Sequence, residues 1–127
     1  MDKKSNFKVI VAGSRGFNDY RILKENCNNF LREKKKTDNV IIVSGHARGA
    51  DLLGEKYAND ENLDLEVYPA NWKKFGTSAG FRRNEQMAEV ADALIAFWDG
   101  KSHGTKHMIE IAKNKGLNVK VVEYVNK

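Results

Sequence analysis

Lys8-Val9-Ile10-Val11-Ala12 runs straight into Gly13-Ser14-Arg15-Gly16-Phe17, and the chain repeats this arrangement twice. Val40-Ile41-Ile42-Val43 leads into Ser44-Gly45-His46-Ala47-Arg48-Gly49-Ala50-Asp51. Ala93-Leu94-Ile95-Ala96-Phe97 leads into Trp98-Asp99-Gly100-Lys101-Ser102-His103-Gly104-Thr105. Each is a short apolar run, then a glycine-bearing loop, then a stretch with helical spacing. In an open parallel sheet such loops gather at the carboxyl edge of the strands, where ligands bind. Glycine lets the backbone approach a ligand, and helix N-termini offer unpaired N–H groups to phosphate oxygens. The pattern predicts an α/β protein that binds a phosphate-bearing, nucleotide-like molecule.

Working outward from these runs gives the order of elements. The first strand is Lys8 to Ala12, followed by a helix from Asp19 to Lys34 with Asn18 or Asp19 as cap and Ile22, Leu23, Cys27, Phe30 and Leu31 at helical spacing. The second strand, Val40 to Val43, precedes a helix over Ala50 to Asn59 whose apolar face is Leu52, Leu53, Tyr57 and Ala58. The third strand, Leu63 to Tyr68, alternates Leu63, Leu65 and Val67 with Asp64 and Glu66, which suggests a sheet edge. Pro69 to Gly80 reads as the longest irregular stretch, and such loops tend to be functional or mobile. A third helix runs from Phe81 to Val90, the fourth strand from Ala93 to Phe97, a fourth helix from Thr105 to Lys115 with Gly116 as its stop, and the fifth strand from Val119 to Glu123.

Alternating strands and helices with right-handed crossovers leave few topologies. The favoured one is a three-layer, Rossmann-like sandwich around a five-stranded parallel sheet of order 3-2-1-4-5, with the crevice between strands one and four. The order 2-1-3-4-5 is the alternative. With 127 residues and no linker, repeat or low-complexity tract, residues 1–127 read as one domain.

Composition narrows the function classes. The chain is 41% hydrophobic and 31% charged, as in an ordinary globular protein, and has no apolar stretch of the roughly 18 residues a membrane span needs. The start of the chain lacks a signal-peptide apolar region, so a cytoplasmic location without membrane partners is the expectation. Cys27 is the only cysteine and reads as a packing residue. The net charge of +5 suits an anionic ligand and is compatible with nucleic acid. Of its two visible clusters, Lys3-Lys4 and Arg32-Glu33-Lys34-Lys35-Lys36, the second reads as a solvated helix end that meets the helix dipole. His46, His103 and His107 show no metal-ligand pattern, and neither a metal nor a separate cofactor is expected.

The candidate ligand-binding residues are Gly13, Ser14, Arg15, Phe17, Ser44, Gly45, Arg48, Trp72, Arg83, Asn84, Trp98, Gly104 and Thr105. Gly13, Ser14, Gly45, Gly104 and Thr105 present backbone or hydroxyl donors to phosphates. Arg15 and Arg83 neutralise charge, Arg15 with a guanidinium that can pair bidentately with a phosphate. Asn84 fixes a ribose or base, and Trp72 or Trp98 stacks on a base. Thr105 can also cap its helix, Asp51 can favour the dipole of the helix it opens or pair with Arg48, and His46 reads as a loop residue.

Taken together the motifs resemble the SLOG superfamily of Rossmann-like proteins, in its YspA-like branch, over nearly the whole chain from Lys8 to about Val122. The resemblance rests on Gly13–Arg15, Ser-Gly-x-Ala-Arg-Gly-Ala-Asp at Ser44–Asp51, Trp72 with Gly76 and Ala79-Gly80, Arg83-Asn84 and Gly104-Thr105. It implies a nucleotide or nucleotide-derived ligand across the crevice between strands one and four. Some members are thought to sense or process signalling nucleotides, some are linked to antiviral conflict, and related proteins often pair, so that two chains can complete one site. The related LOG phosphoribohydrolases cleave nucleoside monophosphates with a motif similar to Pro-Gly-Gly-x-Gly-Thr-x-x-Glu. Only Gly104-Thr105 match it here, and Met108 stands at the glutamate position. Glu110 lies about 200° further around the helix; Asp99 or Glu85 could substitute for the missing glutamate. The DNA-processing DprA proteins, another related branch, bind single-stranded DNA. The leading expectation is therefore a nucleotide-binding sensor, carrier or sequestering module. The alternatives are a phosphoribohydrolase-like enzyme, with its catalytic residues unassigned, and a single-stranded nucleic-acid binder.

Overall fold

The computed structural model describes residues 5–125, so the Lys3-Lys4 cluster lies outside the described residues. Five parallel strands form the sheet: β1 (Asn6–Gly13), β2 (Asn39–Ser44), β3 (Asp64–Val67), β4 (Ala93–Trp98) and β5 (Asn118–Glu123). Their order is β3-β2-β1-β4-β5, as the sequence predicted. The register pairs Val9 with Ile42 on one side and with Ala93 on the other.

Both faces of the sheet are covered, which is why its strands are continuous apolar runs rather than alternating ones. Val9, Val11, Ile42, Ile95 and Phe97 face α1 (Tyr20–Thr37) and α2 (Ala50–Asp60). Ile10, Ala12, Val43, Leu94 and Ala96 face α4 (Ala79–Val90) and α5 (His103–Asn114). Among the described residues no helix is long and apolar enough to cross a membrane.

Asp19 caps α1 by accepting the Ile22 N–H at 3.1 Å, and Leu23, Cys27 and Leu31 are its buried stripe. The lysine run closes that helix through local contacts. Lys34 lies over the Phe7 ring, Lys35 donates to the Tyr57 hydroxyl at 2.6 Å and to Glu61 at 3.2 Å, and Lys36 pairs with Glu33. Cys27 is fully buried, and burial pushes its thiol up to about 12.

Three local expectations change. In α2 the inward face is Ala50, Gly54, Tyr57 and Ala58, while Leu52 is exposed. Spacing of four and seven residues from Ala50 selects the sheet-facing stripe, and Leu52 falls outside it. The stretch Pro69 to Gly80 is not irregular: it holds a short helix α3 (Trp72–Phe75) and a 3-10 turn (Gly76–Ser78), and α4 begins at Ala79. Asn71 initiates α3 by accepting the Lys74 N–H at 3.1 Å. Finally, Ser102 caps α5, accepting the Thr105 N–H and hydroxyl at 3.5 and 3.1 Å, which puts Thr105 inside the helix.

Candidate functional site

At the carboxyl edge, where the chain order reverses between β1 and β4, the loops enclose a cleft with two compartments. The inner one, about 180 Å³, takes apolar groups from Ala12, Trp72, Phe81, Met87 and Met108. Its polar groups come from Asp51, Thr77, Asn84, Ser102, Gly104 and Thr105. The outer one, about 440 Å³, is lined by Gly45, His46, Arg48, Pro69 and Ala70. Arg15, Ala47, Trp72 and Arg83 line both and form the waist between them.

Backbone packing brings these loops together. A Cβ on Gly13 would sit 2.3 Å from the Phe97 carbonyl oxygen and 2.7 Å from the Ala50 side chain, so only glycine lets β1 end this close to β4 and α2. A Cβ on Gly45 would meet the Arg83 guanidinium at 2.7 Å and the Asp51 carboxylate at 2.8 Å. Gly104, by contrast, faces open space at the start of α5.

Arg83 lies in the second turn of α4 and reaches across to the β2 loop. Its Nη1 donates to the Gly45 carbonyl at 2.5 Å and its Nε to Asn84 Oδ1 at 3.0 Å. Asn84 Nδ2 in turn contacts the Gly104 carbonyl and His107 Nδ1, both at 3.3 Å, tying α4 to α5. Burial lowers the Arg83 pKa and the neighbouring Arg15 charge lowers it further, while Asp51 opposes both. A guanidinium stays charged under such shifts. Arg15 and Arg48 are exposed, and among the described residues neither they nor Arg83 forms a salt bridge.

Asp51 is 5% exposed, yet it lines the inner compartment. Burial pushes it up to about 6; the Arg83 charge and the Ala47 N–H, 3.3 Å away, act in the opposite direction. Against one acid of this kind stand three guanidinium groups, so the cleft favours an anion.

Of the predicted residues, Gly13, Arg15, Gly45, Arg48, Trp72, Arg83, Asn84, Gly104 and Thr105 converge on the cleft. Four do not line it. Phe17 is 2% exposed and stacks on Phe97 with ring centres 4.9 Å apart, so its ring belongs to the core. The buried Ser14 accepts the Asp99 N–H at 3.2 Å and so ties the β1 loop to the β4 loop. Ser44, fully buried, donates to Glu55 Oε2 at 2.8 Å. Trp98 donates its indole N–H to the Ser102 carbonyl at 3.1 Å and packs beside the α4–α5 core. Trp72, 51% exposed at the waist, is the indole that faces the cleft. The pairing of Asp51 with Arg48 is replaced by the influence of Arg83, since α2 turns Asp51 inward and leaves Arg48 exposed.

Sequence reasoning missed Asp51 as a lining group, and it missed Phe81, Met87 and Met108. Asp51 stood within the quoted motif. The other three carry only the helical periodicity of core residues, which does not distinguish a core from a pocket wall. Glu110 projects to solvent with Lys106 4.0 Å away, and Asp99 accepts the Lys101 and Ser102 N–H groups at 2.9 and 2.8 Å within its own loop. Those two N–H groups are the main reason that the Asp99 pKa is lowered.

Comparison with known proteins agrees with this architecture. Residues 7–75 match the family described as "YspA, cpYpsA-related SLOG family". The chain is 30% identical over 118 residues to the Gene 61 protein of Mycobacterium phage D29, an alignment covering 88% of this chain and 93% of the phage protein. Its fold is similar to that of DNA processing protein A (DprA) from Streptococcus pneumoniae, with a TM-score of 0.67 and 16% identity. That likeness covers 92% of this chain and 50% of the DprA chain, so the chain spans about half of that structure. The chain belongs to the YspA, cpYpsA-related SLOG family.

Proposed function

We propose that the cleft binds a nucleotide or nucleotide-derived ligand, and that the protein acts as a sensor, carrier or sequestering module for it. The observation that carries this reading is the convergence of Trp72, Arg15 and Arg83 at the waist between two compartments, with Phe81, Met87 and Met108 on the inner side and Arg48 on the outer. A nucleotide likewise joins a ring system to an anionic group. A base and sugar suit the inner walls, where Asn84, Thr105 and Asp51 offer hydrogen bonds, and phosphates suit the arginines. Trp72 supplies the stacking surface at the waist. Membership in the SLOG family supports a nucleotide-related ligand or nucleic-acid handling.

Binding is favoured over N-glycosidic cleavage by a particular residue. Met108 lines the inner compartment where the phosphoribohydrolase motif would put glutamate, and Glu110 is turned away from it. A reaction through an oxocarbenium-like state needs a carboxylate beside the sugar. Asp51 is the one acid among the described residues that lines that compartment.

Titration calorimetry against a panel of mononucleotides, dinucleotides and cyclic dinucleotides tests the reading. The expected result is saturable binding of at least one class, weakened about 10-fold or more in Arg15→Ala, the order expected for one charge-assisted contact. A folded wild-type protein that binds no member of the panel would refute it.

A further inference from the structure

Glu55, on α2, links the outer compartment to the sheet. Its Oε2 accepts the Ser44 hydroxyl at 2.8 Å and lies 2.8 Å from His46 Nδ1. The His46 N–H donates to the same Ser44 hydroxyl oxygen at 3.1 Å, which closes a circuit of three residues. Ser44 is wholly buried, whereas the imidazole is half exposed and lines the outer compartment with Arg15, Arg48 and Arg83. His46 also holds a left-handed backbone, φ 61°, a conformation uncommon for residues other than glycine. Such outliers gather at functional sites, where the surroundings enforce them.

The circuit determines which imidazole nitrogen is available. A carboxylate only accepts hydrogen bonds, so Nδ1 carries the proton toward Glu55, and Nε2 of the neutral ring keeps its lone pair. The loop backbone is already held by Ser44, so the ring contact adds orientation of the imidazole. An oriented imidazole with a free Nε2, beside groups that attract phosphate, has the components of general-base catalysis.

We infer that His46 and Glu55 form a proton-transfer dyad that hydrolyses a phosphoanhydride bond of a nucleotide held in the cleft, a step that rests on the binding reading above. Water attacks the phosphorus, and Nε2 takes one of its protons as the new phosphorus–oxygen bond forms. The bond from phosphorus to the bridging oxygen breaks, and its electron pair leaves with the departing phosphate. The imidazolium then passes its proton to that phosphate or to solvent. Arg15 and Arg48 offset charge on the non-bridging oxygens. Glu55 is a positioning residue that holds Nδ1–H, and Ser44 holds Glu55.

The test incubates the whole chain with ATP, diadenosine tetraphosphate and NAD+ in heavy-oxygen water. Phosphorus NMR and mass spectrometry follow the products, with calorimetry on the same samples. The expected result is cleavage of a bound probe with the heavy oxygen on phosphorus. His46→Gly suits the left-handed backbone and removes the base. It is expected to lose about 100-fold or more in kcat, with affinity changed by less than about two-fold. Glu55→Gln should fall between, lowering kcat more than it changes KM. Binding without cleavage, full activity in His46→Gly, or label on a sugar carbon would overturn the dyad and leave the binding reading standing. Absence of binding to every probe would overturn both.

Discussion

Asp51 carries the sharpest consequence at the scale of single residues. Its carboxyl has an ordinary value of 3.8 and is pushed up to about 6 in the folded chain, chiefly by burial. Between these values the folded state holds a proton that the unfolded state has lost. The Asp51 contribution to stability is therefore full below the lower value, falls as pH rises through the window, and stays lost above about 6. The span corresponds to roughly 3 kcal/mol. In Asp51→Asn this component is predicted to vanish, so that denaturant titrations at pH values across the window show a flatter profile than wild type; an unchanged profile would show that another group is responsible. Arg15 and Arg83 separate in the same way. Arg15 is exposed and its loss should affect binding alone, whereas Arg83 bridges Gly45 and Asn84, so its loss should lower thermal stability as well. The sequence showed both arginines and placed Arg83 in the first turn of a helix starting at Phe81. Its half-burial depends on α4 beginning earlier, at Ala79, and on the β2 loop folding over it. Neither is encoded near Arg83 itself.

At the scale of elements, the caps decide how the cleft is framed. The long helices were legible because α1 and α5 carry apolar stripes at helical spacing and a recognisable stop at Gly116, which has φ 80°. The four-residue α3 was not, since one turn is too short to show periodicity. Its start depends on Asn71, two residues after a proline. Asn71→Ala is predicted to weaken ligand binding through Trp72 while changing global stability by less than about 1 kcal/mol, because α3 buries no residue. Ser102→Ala at α5 acts differently. That helix packs Met108, Ile109 and Ala112 into the core, so loss of its cap should cost about 1 kcal/mol and be visible as a lower Tm. Paired thermal and calorimetric titrations of the two variants separate framing of the site from stability of the core.

Across the whole molecule, the topology follows from one physical alternation, buried strand against amphipathic helix, and this was readable along the chain. The third strand shows where such reading thins out. Leu65 and Val67 alternate with acids as expected at an edge, yet both are exposed, because alternation alone does not say which side is covered. The cleft was legible as a place, the crevice between β1 and β4, but its split into two compartments arises from α3 and α4 closing over distant loops. The net charge of +5 suits nucleic acid in general, but the lysines at the end of α1 are engaged locally by Phe7, Tyr57, Glu61 and Glu33. Single-stranded oligonucleotides are accordingly predicted to bind more weakly than the best mononucleotide and to lose affinity steeply with added salt. Retention of an oligonucleotide with a flat salt response would contradict that.

Mapping backbone-amide and indole shifts of isotopically labelled protein as the best-binding nucleotide is added shows whether the cleft is where it binds. The prediction is that perturbations concentrate at Gly13, Arg15, Gly45, Ala47, Trp72 and Gly104, with the Trp72 indole moving more than that of Trp98. Perturbations confined to α1 and the β3 edge, or saturation with the cleft amides unmoved, would contradict it.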